Sequence, residues 1–227
     1  MPTISVVIPT LNASGTIDKT LREIVSLYPA LIREVIISDG GSTDDTVDKA
    51  NRAGCLVTKG ARGRGLQLAR GGALACGDWL LFLHADTRLS QGWADEVFSF
   101  IHGVGSEQVA ATFTFALDDP ALKARILERL VAGRVKLLAL PYGDQGLLIH
   151  RELYRDLGGY RPYPLMEDVD LIRRIGRYRL KVLNGKAITS AARYQHRGFA
   201  RRIARNILCI TLYFVGVAPR LIVKLYG

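Results

Sequence analysis

The sequence predicts an α/β protein: a mixed, mainly parallel sheet flanked by helices, followed by a basic, amphipathic helical segment. Short, continuous apolar runs alternate with segments of helical periodicity, the pattern of parallel strands covered on both faces. Polar residues gather just past those runs, where open α/β sheets receive ligands. The charge is divided along the chain: the last 57 residues hold 13 Lys or Arg and no Asp or Glu, leaving the first 170 at −3 within a total of +10. That asymmetry directs the C-terminal quarter toward an anionic membrane surface, an acidic ligand or nucleic acid.

Thr3 to Pro9 (TISVVIP) reads as a buried strand, and Thr16 to Leu27 as a helix with Ile17, Leu21, Ile24 and Val25 on one face. Glu34 to Ser38 is the second strand. Ser42 or Thr43 is placed to cap a helix running to Arg52, with Asp44 and Asp45 in its first turn, where carboxylates suit the helix dipole. Cys55 to Thr58 is a short third strand, a helix follows Arg62-Gly63-Arg64-Gly65, and Trp79 to His84 is a fourth strand. Later come a strand at Ala110 to Leu117, a helix near Ala121 to Leu138, a strand at Gly146 to His150 and a helix from Val169 to Ile175. No repeat or linker divides the chain, so the expected organisation is one α/β domain over 1–198 and an appendage over 199–227.

At 227 residues, 48% hydrophobic and 23% charged, the chain has ordinary globular composition, which excludes a disordered or collagenous protein. Cys55, Cys76 and Cys209 are odd in number and far apart, against a disulfide framework or a CxxC zinc site. Residues 1–9 lack the basic start and long apolar run of a signal peptide, so a reducing, cytoplasmic setting is expected.

Thr10 and Asn12 follow the first strand, Asp39 with Gly40 and Gly41 the second, and Asp86 with Thr87 the fourth. Each is also what an ordinary turn uses, but together they fall on one rim of one sheet. A nucleotide site accounts for the set. Asp39 can accept from a base or ribose, Gly40 lets a ligand approach the backbone, and Asp86 is a hard oxygen donor for Mg²⁺ or Mn²⁺. Arg62-Gly63-Arg64-Gly65 offers guanidinium groups ahead of a helix, suited to a diphosphate. It is not a dinucleotide fingerprint, because Leu68 stands where GxGxxG needs its third glycine.

SVVIPTLN, DGGSTDDT, GRG, LLFLHADT, PYGDQG and MEDVDL, in this order and spacing, resemble the family-two glycosyltransferases of the GT-A (Rossmann-like) fold. PYGDQG, MEDVDL and SAARYQHRG are most similar to a short bacterial branch labelled arsenosugar-biosynthesis glycosyltransferases, a label that names a branch and not a substrate. The resemblance implies an inverting transfer from a nucleoside-diphosphate sugar to an acceptor hydroxyl. It makes Pro9, Thr10, Asn12, Asp39, Gly40 and Arg64 donor contacts, and Asp86 the metal ligand. His84 replaces the first acid of the usual metal-binding DxD, so it is a candidate ligand or a buried strand-end histidine. Ala13 and Ser14 stand where many relatives carry glutamate. Glu167 and Asp168 match the family's ED pair, with Asp168 the general base. Asp144 and Gln145 are candidate donor or acceptor contacts or a plain turn, and His196 is a candidate late metal ligand or a solvated histidine.

Two other readings compete. A sugar-phosphate nucleotidyltransferase needs a basic, glycine-rich signature after the first strand, where PTLNASG has no basic residue. A non-catalytic membrane- or nucleic-acid-binding module leaves Asp39, Asp86 and Asp168 without a role. Nucleic acid is therefore not expected as a partner. Ile207 to Ala218 is apolar or small apart from Thr211, too short for the ~20 residues that span a bilayer. Flanked by Arg201, Arg202, Arg205, Arg220 and Lys224, it suits a helix lying on the inner face of an anionic membrane, or one packed on the domain.

Overall fold

The computed structural model describes residues 1–25, 31–191 and 199–226. Eight strands form one sheet in the order β3-β2-β1-β4-β7-β6-β8-β5. They are β1 (Ile4–Thr10), β2 (Ile32–Asp39), β3 (Leu56–Lys59), β4 (Trp79–Phe82), β5 (Thr87–Leu89), β6 (Ala110–Leu117), β7 (Leu147–His150) and β8 (Leu180–Thr189). The first four described in chain order pair in parallel, with β1 between β2 and β4. Beyond them β7 runs antiparallel to both β4 and β6, β8 is parallel to β6, and β5 closes the edge antiparallel to β8.

Helices α1 (Ile17–Val25), α2 (Thr46–Arg52) and α4 (Trp93–Ile101) cover one face; α3 (Arg64–Leu74), α6 (Arg151–Asp156) and α7 (Glu167–Ile175) cover the other. The period-two geometry of β1 explains why its run is continuously apolar: Ile4, Val6 and Ile8 enter the first layer and Val7 the second. A third cluster joins Phe115 and Leu117 of β6 to α5 (Leu122–Leu138), with Ile203 packed against it. The C-terminal helices α8 (Phe199–Phe214) and α9 (Pro219–Tyr226) bury Cys209 and Ile222 in the second layer. Among the described residues no helix is long and apolar enough to cross a membrane.

Several expectations change. Ser42 and Thr43 do not cap the helix to Arg52: α2 begins at Thr46 after Asp45, and Ser42 and Thr43 bond to Asp39 and Asn12 instead. Asp44 and Asp45 therefore precede the first turn, which holds Asp48. β4 stops at Phe82, freeing 83–86 to form the rim turn. The helix expected to Leu27 is described as far as Val25. β8 escapes a pattern reading because Asn184 and Gly185 look like a turn. They are a bulge, where pairing jumps from Phe113↔Leu183 to Thr114↔Lys186. The backbone N–H groups of Asn184 and Gly185 donate to Glu96 Oε1 and Oε2, both at 2.7 Å.

Candidate active site

The carboxyl ends of β1 and β2 are held by one buried carboxylate. Asp39 Oδ1 accepts from the hydroxyls of Thr10 (2.9 Å) and Ser42 (2.5 Å), and Oδ2 from the N–H groups of Gly41 and Ser42, both at 2.8 Å. Burial raises its pKa, but the bonds from Ser42, Gly41 and Thr10 together outweigh that and hold it below the usual carboxylate value. Asp39 is fully buried, so its oxygens face the loop and not the cleft. Asn12, in the left-handed region at φ 50°, accepts from Thr43 N–H at 2.9 Å and donates its own N–H to Ser42 Oγ at 2.8 Å. Gly40 packs on Gln67: a Cβ there would sit 3.0 Å from the Gln67 amide carbon. Gln67 in turn donates to the carbonyls of Thr10 (2.7 Å) and Ser38 (2.9 Å).

Arg64 opens α3 behind Gly63. Gly65 must lack a side chain, because a Cβ would come within 2.4 Å of the Arg161 carbonyl oxygen. The 161–163 backbone thus crosses directly over the start of α3, and Arg64 is held against α7. Its Nε lies 3.4 Å from Glu167 Oε1, with the Glu167 side chain only 1% exposed. Burial pushes the Glu167 carboxyl up to about 7; Arg64 opposes the shift and the Asp168 carboxylate adds to it.

The three acids of MEDVDL do different work. Glu167 meets Arg64. Asp168, half-buried, accepts the Gly143 N–H on Oδ2 at 2.7 Å. Asp170 is a structural anchor, 3.1 Å from Arg161 Nη1 through Oδ1 and 2.6 Å from Arg174 Nη2 through Oδ2. Met166, at φ 66°, makes the turn that lets α7 begin with its acids at the cleft.

His84 and Asp86 sit in the turn after β4, where Asp86 carbonyl accepts Ser190 N–H at 3.1 Å. Opposite lies the 3₁₀ turn Gly143–Gln145. A Cβ on Gly143 would fall 2.8 Å from His84 Nε2 and 3.5 Å from Asp168 Oδ2, so glycine at 143 allows these two groups to approach. Burial pushes Asp144 up to about 6; Arg134 opposes this, while Asp168 and Asp86 add to it. Its Oδ1 is buried without a hydrogen-bond partner. Gln145 points the other way, donating to the Phe113 carbonyl at 3.0 Å, and is 2% exposed.

Two compartments share Arg64, His84, Asp86 and Ser190. The smaller is lined also by Tyr142, Asp144, Glu167, Asp168 and Asn206; the larger by Pro9, Thr10, Asn12, Arg62 and Val223. The structure therefore brings Pro9, Thr10, Asn12, Arg64, His84, Asp86, Asp144, Glu167 and Asp168 onto one cleft. It sets Asp39, Gly40 and Gln145 behind its walls. His196 lies outside the described residues. Tyr142, Thr189, Ser190 and Asn206 were not singled out from sequence. Thr189 ends β8 and Ser190 follows it, beyond a strand that the sequence pattern conceals, while Asn206 stands in a segment whose composition is apolar and basic.

The donor set fits a magnesium-like cation. Among the described residues no three His, Cys, Asp or Glu side chains form a ready metal cage. A hard cation held by one or two carboxylates and completed by substrate phosphates needs none, and the mutually repelling carboxylates of Asp86, Asp144 and Asp168 would gain from a positive charge between them.

A family model described as "Glycosyl transferase family 2" matches residues 5–158. The glucosyl-3-phosphoglycerate synthase of Mycobacterium tuberculosis (strain ATCC 25618 / H37Rv) is 37% identical over 93 residues, 37% of this chain and 29% of that relative. A PGL/p-HBAD biosynthesis glycosyltransferase of Mycobacterium bovis (strain BCG / Pasteur 1173P2) is 38% identical over 95 residues, 39% of this chain and 37% of its own length. Each match thus spans well under half of the curated relative. Among solved structures, glucosyl-3-phosphoglycerate synthase from Mycobacterium tuberculosis in complex with Mn²⁺, UDP-glucose and phosphoglyceric acid aligns at TM-score 0.60 and 25% identity, over 81% of this chain and 69% of that one. The same enzyme with Mg²⁺ and UDP aligns at TM-score 0.60 and 24% identity, over 83% and 70%, and shares the GT-A architecture.

Proposed function

The chain belongs to glycosyl transferase family 2, and from that premise we propose that it is an inverting, metal-dependent glycosyltransferase that moves a sugar from a nucleoside-diphosphate sugar to an acceptor hydroxyl. One observation supports the reading: Asp168, the only half-buried acid of MEDVDL, lines the smaller compartment together with Arg64, His84 and Asp86, three of the residues that this compartment shares with the larger one. The larger compartment receives the nucleotide and the smaller one the acceptor.

In-line displacement requires the acceptor hydroxyl to lose its proton as it attacks the anomeric carbon. Asp168 takes that proton; the N–H groups of Gly143 and Val169 fix its carboxylate, one on each oxygen. Arg64, steered by Glu167, stabilises the charge that grows on the departing diphosphate. Mn²⁺ or Mg²⁺ held by Asp86, with His84 and His196 as further candidate ligands, supplies Lewis-acid neutralisation of that diphosphate when bound. Asp39 and Gly40 serve the donor through the loop they hold. Asp144 borders the acceptor. The relatives with UDP and UDP-glucose make a uridine-diphosphate sugar the first donor to test, and the likeness of PYGDQG and SAARYQHRG supports the short bacterial branch as the chain's subgroup.

The C-terminal helices complete the cleft with Asn206 and Val223 while exposing Ile207, Leu208, Phe214 and Leu221. With Arg205, Arg220 and Lys224 they are proposed to touch an anionic membrane on its cytoplasmic side, where an amphiphilic acceptor would be presented. Calorimetry with UDP, GDP and TDP, each with and without Mn²⁺, tests the central reading. Metal-dependent binding of one nucleotide is expected, and binding of none would overturn it.

A further inference from the structure

Helix α5 carries an apolar stripe on its outer face. Its inner face is fully accounted for: Ala124, Leu127, Val131 and Val135 are buried against β6. On the opposite side Leu122 is 73% exposed, Ile126 49%, Leu130 57% and Leu137 71%. At 3.6 residues per turn these four lie within about 80° of arc. Gly133 falls on the same line, and a Cβ there would meet nothing within 4 Å. Isolated exposed leucines are ordinary, but a continuous line of them marks a contact surface.

The charges beside the line say what it contacts. α5 holds five Lys or Arg and one Glu. Arg129 and Lys136, both exposed, border the stripe on one side and Lys123 on the other. An apolar strip rimmed on both sides by cations matches the boundary between anionic headgroups and acyl chains, with the leucines immersed and the cations at headgroup level. A second copy of the chain would set the same basic rims against each other. The helix also feeds the cleft: Arg134 stacks over the Tyr142 ring at 3.4 Å and donates to the Leu140 carbonyl at 2.9 Å, just before Asp144.

We infer that α5 is a membrane-docking helix whose Leu122, Ile126, Leu130 and Leu137 insert into an anionic lipid surface. This goes beyond the contact proposed for the C-terminal helices and stands independently of it. The test is flotation of the full chain with vesicles of phosphatidylcholine alone, or with phosphatidylglycerol added. It compares wild type, Ile126→Glu with Leu130→Glu, Arg129→Glu with Lys136→Glu, and Leu208→Glu with Leu221→Glu as the C-terminal control. Nucleotide binding and thermal melting verify folding, and Leu122→Ser with Ile126→Ser is the milder variant should the double glutamate not fold. The wild type should float with the anionic vesicles, the stripe variant should lose roughly tenfold or more of that partitioning, and the charge variant should lose the preference for phosphatidylglycerol. Three results overturn the inference. One is a wild type that floats with neither vesicle. Another is stripe variants that float like wild type while the C-terminal control does not. The third is a wild-type dimer in sedimentation that the stripe variant dissociates, with no flotation.

Discussion

Gly143 donates its backbone N–H to Asp168 Oδ2 at 2.7 Å, joining a turn between α5 and β7 to the first turn of α7. The bond comes from the main chain, so it orients the carboxylate without a side chain that competes for the proton. A Cβ at 143 would press on His84, 2.8 Å from its Nε2, while meeting Asp168 Oδ2 only at 3.5 Å.

Asp168→Asn should therefore keep donor affinity and lower turnover by about 10² to 10⁴, the usual cost of losing a general base. The amide can still occupy the site but cannot take the proton. Single-turnover rates with a competent acceptor check this, and near-normal turnover would remove Asp168 from the role.

Asp86→Ala should abolish the metal-dependent part of nucleotide binding while the thermal midpoint changes little, because the side chain is a half-buried rim group. Calorimetry with UDP, with and without Mn²⁺, measures it. Equal metal-dependent affinity in the variant would exclude Asp86 as the ligand.

Asp39→Ala should act on stability first. It would leave the hydroxyls of Thr10 and Ser42 and two backbone N–H groups without their acceptor, at a cost of about 3 kcal/mol. Because the folded pKa is lowered, this contribution is present above the ordinary value of 3.8 and is lost as the pH falls through the folded pKa. Urea titrations at neutral and acid pH should find the two proteins converging in stability at low pH. A constant difference would point to a charge-independent role.

Glu167 has the opposite sign. Its folded pKa is raised from 4.5 to about 7, so between those values the unfolded chain ionises first and stability declines as pH rises. Glu167→Gln should flatten that decline while weakening the hold on Arg64. Thermal midpoints across pH 4 to 8 (on the order of the window set by the two pKa values) would show it, and parallel curves for the two proteins would contradict it.

Asn206→Ala should leave stability nearly unchanged, since the Asn206 Oδ1 is buried without a hydrogen-bond partner and its removal breaks no bond. In the proposed reaction it should raise the acceptor KM more than it lowers kcat. A variant that weakens nucleotide binding instead would place Asn206 on the donor side.

The parallel half of the sheet was legible because its strands are short, apolar on both faces and punctuated by glycine and aspartate. The distal half was harder: Leu180–Thr189 alternates lysine with apolar residues and is broken by a bulge, and Arg151–Asp156 is too short to show a helical period. Within the cleft, chemistry-bearing residues such as Asp86 and Asp168 announce themselves by type and spacing. What a sequence does not show is which way a side chain turns. Asp39 and Gln145 have the chemistry of ligand contacts, yet Asp39 is spent on its own loop and Gln145 on the backbone of β6. Asn206 is the converse, a polar residue among apolar neighbours that only the packing of α8 brings to the site.

The burial of Cys209 and Ile222 in the same apolar layer as Val7 and Ile36 also has a kinetic meaning. A helix that merely rested on the surface would exchange its amide hydrogens by local fraying, whereas the middle of α8 can open only by uncovering a layer it shares with the central strands. The three thiols divide accordingly. Cys76 is exposed and should react at once with an alkylating reagent, while the buried Cys55 and Cys209 must wait for an opening event. Labelling at Cys209 would thus act as a clock on the cooperative opening of the C-terminal helices and the sheet beneath them.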